Sequence, residues 1–235
     1  MPDLPNHVIA NAGLLFRNAL EVCQAISTPP DIVPHRSEAL ASILFAALAT
    51  EAFVNELGEL AKVFTIGRSD LPGWIATLTS ILEEAEESKA SVETKYQFAK
   101  FVLTGQPYDE GAQPYQDLAL LTDVRNSLVH IKSVSAKMEK KDSGEYEWTE
   151  PRLMVRLMRR LQELSIKYSD DSLRRVTERS DSNFVIADLV SLLSSQSVAT
   201  WACRAAAGII NATIDSIPVG SFRDFIQIIY PDLKI

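Results

Sequence analysis

The sequence has few of the residues that build disulfide frameworks, metal sites or phosphate-binding loops. Only two of its 235 residues are cysteine, three are histidine and nine are glycine. Cys23 and Cys203 each lie in an apolar helical context, so we interpret them as small core residues and not as a disulfide framework or a zinc site. No zinc, P-loop or dinucleotide pattern occurs in the sequence. We therefore expect neither a metal nor another cofactor.

Basic charge and long apolar runs are also scarce. The net charge of −8 disfavours broad attraction to nucleic acid, so any nucleic-acid site must be local. The longest apolar run, from Ala39 to Ala49, is interrupted by Ser42 and falls short of the roughly 18 apolar residues of a membrane span. The first residues include Asp3 and no Lys or Arg, unlike a secretory signal. We expect a cytoplasmic protein without a membrane partner and with a core helix at this run.

Helical spacing of apolar residues dominates the chain, and no alternating strand pattern has useful length. The spacing predicts helices over residues 7 to 26, 34 to 65, 70 to 87, 91 to 103, 114 to 133, 150 to 168 and 183 to 217, with a last helix after Gly220. The polar stretch 135–149 is predicted to be an exposed loop with room for a short hairpin at Tyr146 and Trp148. We expect an all-α fold in which residues 150–235 form an extension packed on the same domain as residues 1–134.

Candidate catalytic residues are concentrated near the end of the fifth predicted helix. At about 100° per residue, one stripe of this helix is apolar and should face the core, formed by Leu121, Val124, Leu128 and Ile131. Asn126 and His130 lie four residues apart on nearly the opposite face, together with Asp123. Arg125 lies at the boundary of the two faces, from which its long side chain can turn toward His130. The helix thus predicts a polar group outside the core.

These residue types suit the cleavage of RNA without a metal. An imidazole such as that of His130 can take a proton from a 2′-hydroxyl or give one to the leaving oxygen. The guanidinium of Arg125 can bind two phosphate oxygens and stabilise the charge that grows in the transition state. The side chain of Asn126 could orient His130 or a phosphate oxygen. We interpret Arg125, Asn126 and His130 as candidate catalytic residues.

The pattern Arg125-Asn126-x-x-x-His130 resembles the Arg-x4–6-His signature of the HEPN superfamily, whose catalytic members are metal-independent endoribonucleases. The segment from Ala49 to Leu57 is similar to the second helix of several bacterial HEPN groups, which carries a polar residue toward the site. The resemblance covers roughly residues 7 to 134 and implies a HEPN-like helical bundle with additional C-terminal helices.

The resemblance also implies a homodimer in which two copies of the 114–133 helix face each other across an RNA-binding cleft. In some toxin members a Tyr two residues after the His is the target of an inactivating modification. Lys132 stands at that position here, which puts such regulation in doubt.

Two residues of the second helix are candidates for supporting the site. Glu51 and Asn55 lie one turn apart, and a carboxylate among apolar neighbours needs a partner. If that partner is Arg125, Glu51 orients the catalytic arginine. The alternative is a salt bridge from Glu51 to Arg17 or Arg204 that only ties helices together.

A basic stripe on the sixth predicted helix could guide the RNA backbone toward the site. Its members recur at helical spacing and are Arg152, Arg156, Arg159 and Arg160. Such a stripe is more often a solvated face, and Glu150 and Glu163 dilute its charge. RNA guidance is therefore the weaker interpretation.

These observations favour a metal-independent endoribonuclease with RNA as its substrate. Such an enzyme could act as a toxin or defence effector, with an antitoxin protein as a further partner. The main alternative is a non-catalytic HEPN-like module that dimerises and binds RNA, a nucleotide or a partner protein. A third reading is a helical scaffold in which the motif is coincidental.

Overall fold

The chain folds as an all-α protein with one short β-hairpin. The computed structural model describes residues 11–26, 36–130, 137–140, 146–149, 152–164 and 193–231. The helices of these parts are α1 (Asn11–Ala25), α2 (Arg36–Thr65), α3 (Gly73–Glu87), α4 (Val92–Thr104), α5 (Tyr115–Val129), α6 (Arg152–Glu163), α7 (Gln196–Ser216) and α8 (Ser221–Ile229). The strands β1 (Lys137–Lys140) and β2 (Tyr146–Thr149) pair antiparallel, with Lys137 opposite Thr149. The hairpin lies within the predicted 135–149 loop and includes Tyr146 and Trp148.

The long helix α2 is the centre of the bundle and packs against α1, α3 and α7. Its segment Ser37–Thr65 is long and apolar enough to cross a membrane by length and composition, with a mean hydropathy of 1.5 in its most apolar window. The longest uninterrupted apolar run is much shorter than this segment, because a mean over a window tolerates isolated polar residues. Half of the window is buried inside the fold. Neighbouring helices therefore cover about half of this window, in keeping with the prediction of a core helix.

The C-terminal helix α7 belongs to the same hydrophobic core as the first five helices. It contacts α1, α2, α4 and α5, and its buried face consists mostly of Ala and Ile with Trp201. The prediction of one helix over 183–217 is wrong at Ser195, which caps α7 with an extended backbone and accepts a hydrogen bond from the backbone N–H of Val198 at 3.3 Å. A serine hydroxyl competes for backbone N–H groups in this way and starts a new helix. The predicted part before residue 193 lies outside the described residues.

The helix α5, which carries the candidate motif, is shorter than predicted. Its apolar stripe faces the core as expected, since Leu121 and Val124 are buried and Leu128 packs against the core. The helix ends at Val129, and His130 is its C-cap with φ −94° and ψ 2°. The backbone N–H of His130 still donates to the carbonyl oxygen of Asn126 at 3.1 Å, so the last turn is closed. The predicted continuation beyond residue 130 lies outside the described residues.

The contact of α2 with α3 depends on a glycine. A Cβ atom at Gly58 would lie 3.0 Å from the Cβ atom of Leu82, which is closer than side chains normally approach. The absence of a side chain at Gly58 therefore lets the two helices pack closely, about one turn beyond Asn55 and two turns beyond Glu51. This contact helps to set the position of the α2 surface that faces α4 and α5.

Candidate functional site

Arg125 and Glu51 form an ion pair between α5 and α2. The guanidinium donates through Nη2 to Oε2 of Glu51 at 3.1 Å. The side chains are 27% and 36% exposed, so solvent reaches both partners. From the sequence, Glu51 was expected to pair with Arg125 or, alternatively, with Arg17 or Arg204, and the structure shows the pair with Arg125. The predicted contact is therefore confirmed.

Asn126 connects Arg125 to the end of the helix. Its side-chain oxygen Oδ1 accepts a hydrogen bond from Nη1 of Arg125 at 2.9 Å, and its carbonyl oxygen accepts the backbone N–H of His130. The two terminal nitrogens of the guanidinium are thus held by two different residues. This arrangement restricts the plane of the guanidinium and leaves further N–H donors for a ligand, because an arginine has five.

His130 lies at the exposed end of α5. Among the described residues no hydrogen bond joins its imidazole to another side chain, and the guanidinium of Arg125 is directed toward α2 instead. The Arg125 side chain was predicted to reach toward His130. In the structure its guanidinium binds Glu51 and Asn126 instead.

Asp123 of α5 forms an ion pair with Arg156, a member of the basic stripe on α6. The guanidinium of Arg156 donates to Oδ2 of Asp123, and both side chains are about half exposed. Asp123 therefore compensates a cation of the predicted RNA-guiding stripe. Arg159 is exposed, and no ion pair joins it to another residue in the part of the chain that the structure describes.

Arg160 forms a buried network that sequence reasoning did not find. Its Nε and Nη2 groups donate to the two carboxylate oxygens of Asp117 at 2.7 and 2.8 Å. The indole N–H of Trp201 donates to Oδ1 of the same carboxylate at 3.2 Å. The hydrogen bond to Asp117 raises the pKa of Arg160 above its ordinary value. Arg160 therefore ties α6 to α5 and α7 and is not available to RNA.

Asn55 contacts Lys95 of α4 and not Arg125. The ammonium group of Lys95 donates to Oδ1 of Asn55 at 2.9 Å and also contacts a carboxylate oxygen of Glu86. Lys95 is 5% exposed, so these two partners are needed to hold its charge inside the protein. The predicted support of Arg125 by Asn55 is not seen, and Asn55 belongs to a neighbouring polar contact one turn along α2.

A sequence signal for the two missed residues exists in their helical positions. Asp117 lies in the apolar stripe of α5, four residues before Leu121, and Lys95 lies in the apolar stripe of α4, four residues before Ala99. A charged residue in an apolar stripe must find a buried partner. Asp117 and Lys95 meet this condition in the sequence as Glu51 does.

No protein-family model, no curated protein and no solved structure matches this chain. No cluster of three or more metal-ligating side chains occurs among the residues that the structure describes. The HEPN resemblance stays a prediction that rests on the sequence motif.

Proposed function

We propose that the protein is a metal-independent endoribonuclease in which Arg125 and His130 act on an RNA phosphodiester. The observation that carries this proposal is the fixed, partly exposed guanidinium of Arg125, held by Glu51 and Asn126 one turn before an exposed histidine. An arginine fixed in this way can bind phosphate oxygens through its remaining N–H groups.

The proposed reaction needs one proton acceptor and one proton donor. His130 takes the proton of a 2′-hydroxyl, whose oxygen attacks the adjacent phosphorus. Arg125 stabilises the negative charge that grows on the phosphoryl oxygens. The bond to the 5′-oxygen breaks, and that oxygen takes a proton from an imidazolium. The products are a 2′,3′-cyclic phosphate and a 5′-hydroxyl.

A homodimer through the end of α5 would bring two such sets together. Because Arg125 is directed toward α2 and His130 lies at the exposed helix end, one chain does not join them by a hydrogen bond. Val129, the large apolar residue beside His130, is 51% exposed, as expected of a helix end that a second copy covers. We propose that this second copy completes the RNA-binding cleft.

A non-catalytic HEPN-like module is the second candidate, and one observation favours it. The cations of α5 and α6 nearest the motif are compensated by carboxylates, since Glu51, Asp123 and Asp117 bind Arg125, Arg156 and Arg160. Such a surface attracts RNA weakly unless the phosphate replaces a carboxylate. A module of this kind would dimerise and bind RNA, a nucleotide or a protein without cleaving it.

The test compares wild type with His130→Ala on the same single-stranded RNA pool in EDTA, with product ends mapped. Wild type should cut RNA and leave DNA of the same sequence intact, because DNA lacks the attacking 2′-hydroxyl. His130→Ala should lose on the order of a hundredfold in rate or more. Equal cleavage by both proteins, or none by either, would favour the non-catalytic module.

Light scattering tests the dimer separately. Wild type and His130→Ala should both have the mass of two chains at micromolar concentration, and a monomer would contradict the shared cleft.

We further propose a cytoplasmic toxin or defence effector with an antitoxin protein as partner. Toxicity of the expressed wild type, relieved in His130→Ala, would support that role.

A further inference from the structure

Two cysteines from distant parts of the chain share one buried polar site. Cys23 is in α1 and Cys203 is in α7, and both thiols are free and buried. The hydroxyl oxygen of Thr200 lies 3.4 Å from the sulfur of Cys23. Thr200 and Cys203 are three residues apart on α7, so their side chains are neighbours on one helix face. The sulfur of Cys23 therefore lies beside the side chain of Cys203.

Ser42 of α2 completes this site. Its hydroxyl oxygen lies 3.5 Å from the sulfur of Cys203 and donates to the carbonyl oxygen of Ala19 at 2.8 Å. Three helices therefore place a thiol pair and two hydroxyl groups together inside the core. Because the one proton of the Ser42 hydroxyl goes to Ala19, the thiol of Cys203 donates to the oxygen of Ser42. The hydroxyl of Thr200 can donate to the sulfur of Cys23, and such a donor stabilises the thiolate form.

The two thiols differ in their acidity. A hydrogen bond with Cys203 lowers the pKa of Cys23 below its ordinary value, and the hydroxyl of Thr200 acts in the same direction while burial opposes them. The same hydrogen bond and burial raise the pKa of Cys203. Of the two thiols, Cys23 therefore loses its proton more readily. A nucleophilic thiolate beside a second thiol is the arrangement found where a sulfenic acid is resolved to a disulfide.

We propose that Cys23 and Cys203 are a redox-active pair that a peroxide oxidises to an intramolecular disulfide. The Cys23 thiolate attacks one oxygen of the peroxide, the O–O bond breaks, and the released hydroxide takes a proton to become water. The sulfur of Cys203 then attacks the Cys23 sulfenic acid, and the sulfenic hydroxyl leaves with the Cys203 proton as a second water. Two thiols are oxidised and one peroxide is reduced, so the electrons balance.

The order of attack follows from exposure. Cys23 is 7% exposed and lies near the end of α1, whereas Cys203 is 2% exposed. A small oxidant therefore reaches Cys23 first. The disulfide would join α1 to α7 across α2 and close a loop of most of the chain, which stabilises the fold.

The experiment treats the full-length protein with hydrogen peroxide and measures intact mass without reductant. Wild type should lose two hydrogen atoms, resist alkylation of both cysteines after unfolding, and recover on reduction with dithiothreitol. The oxidised form should melt roughly 5 °C or more above the reduced form. Cys203→Ala should stop at oxygen adducts of Cys23.

Thr200→Val is the matched variant, because it keeps both sulfurs and the side-chain shape and removes only the hydroxyl beside Cys23. Its disulfide should form several-fold more slowly than that of wild type. The proposal is overturned if folded wild type keeps two alkylatable thiols after peroxide, if Cys23 gains oxygen without pairing, or if the disulfide joins two chains.

Discussion

Two of the ion pairs of helix α5, one near each end of the helix, differ in exposure and in the number of their hydrogen bonds. Near its beginning, Asp117 has a side chain 13% exposed and receives two hydrogen bonds from Arg160 and one from Trp201. Near its end, Arg125 is 27% exposed and makes a single hydrogen bond to Glu51. One pair is enclosed and fully bonded, whereas the other is open, and some N–H donors of its arginine have no partner among the described residues.

The comparison indicates different roles for the two pairs. Removing one partner of an enclosed pair leaves uncompensated charge in the core, so the intact Asp117 network matters for stability. A partly exposed pair contributes at most about 1 kcal/mol to stability. The position of Arg125 is therefore weakly explained by stability, and the donors that lack a partner in the described parts of the chain fit a role in binding an anion.

The largest expected effect concerns the open pair. Arg125→Ala should lower RNA cleavage by roughly a hundredfold to a thousandfold, because charge on the phosphoryl oxygens is no longer stabilised. Arg125→Lys should restore little, since an ammonium group cannot make the two-pronged contact. The unfolding free energy in urea should fall by no more than about 1 kcal/mol.

Arg223→Ala is the matched control for this change. Arg223 is similarly exposed, at 23%, and binds Asp215 at 2.8 Å at the start of α8. Removal of this arginine should leave cleavage unchanged. An Arg125→Ala protein that cleaves like wild type but unfolds far more easily would assign both pairs of α5 to stability.

The enclosed pair should give the next largest effect. Asp117→Ala should cost about 2 to 4 kcal/mol of unfolding free energy, because Arg160 and the indole N–H of Trp201 lose their acceptor. Cleavage per folded molecule should stay near that of wild type. Urea unfolding followed by circular dichroism measures the first quantity, and cleavage under strongly native conditions measures the second.

An apolar replacement of this pair sharpens the test. The double variant Asp117→Leu with Arg160→Met should regain much of the lost stability, since no charge is left unpaired. If the single variant costs less than about 1 kcal/mol, the enclosed pair behaves like a surface pair and the contrast within α5 fails.

The smallest effect is expected at Glu51. Glu51→Gln keeps the side-chain shape but weakens the hold on Arg125, so kcat should fall on the order of tenfold through misplacement of the guanidinium while KM changes little. Glu83→Gln is the matched control, because Glu83 is 40% exposed and binds Lys62 at 2.6 Å. Faster cleavage by Glu51→Gln would mean instead that Glu51 competes with the phosphate.

Helix positions were largely predictable, because apolar spacing and capping residues act locally. Ser91 illustrates this, since its hydroxyl accepts the backbone N–H of Thr94 at 3.2 Å and begins α4 as predicted. The errors lie at Ser195 and after Val129. Apolar spacing continues past both points, so it does not reveal the cap that Ser195 forms with the N–H of Val198 or the end of α5 at Val129.

The candidate site was predictable in its members and less so in its contacts. The pair of Glu51 with Arg125 was one of several partners that the sequence allowed, and only the packing of α2 against α5 selected it. Asn55 was assigned to the same site because it lies one turn from Glu51. Because α4 packs beside this part of α2, Asn55 accepts a hydrogen bond from Lys95 instead. The spacing of residues within α2 could not predict this contact.

The sequence by itself determined an all-α fold, the apolar stripe of α5 and the grouping of Asn126 with His130 at one helix end, since these follow from helical periodicity. Only the tertiary structure decided which charges meet. It enclosed Asp117 with Arg160 and Trp201, turned Arg125 toward Glu51, and placed Cys23 beside Cys203. Such contacts join residues far apart in the chain, so their geometry depends on how whole helices pack. The partners of a buried charge or thiol are the side chains that the neighbouring helices place beside it.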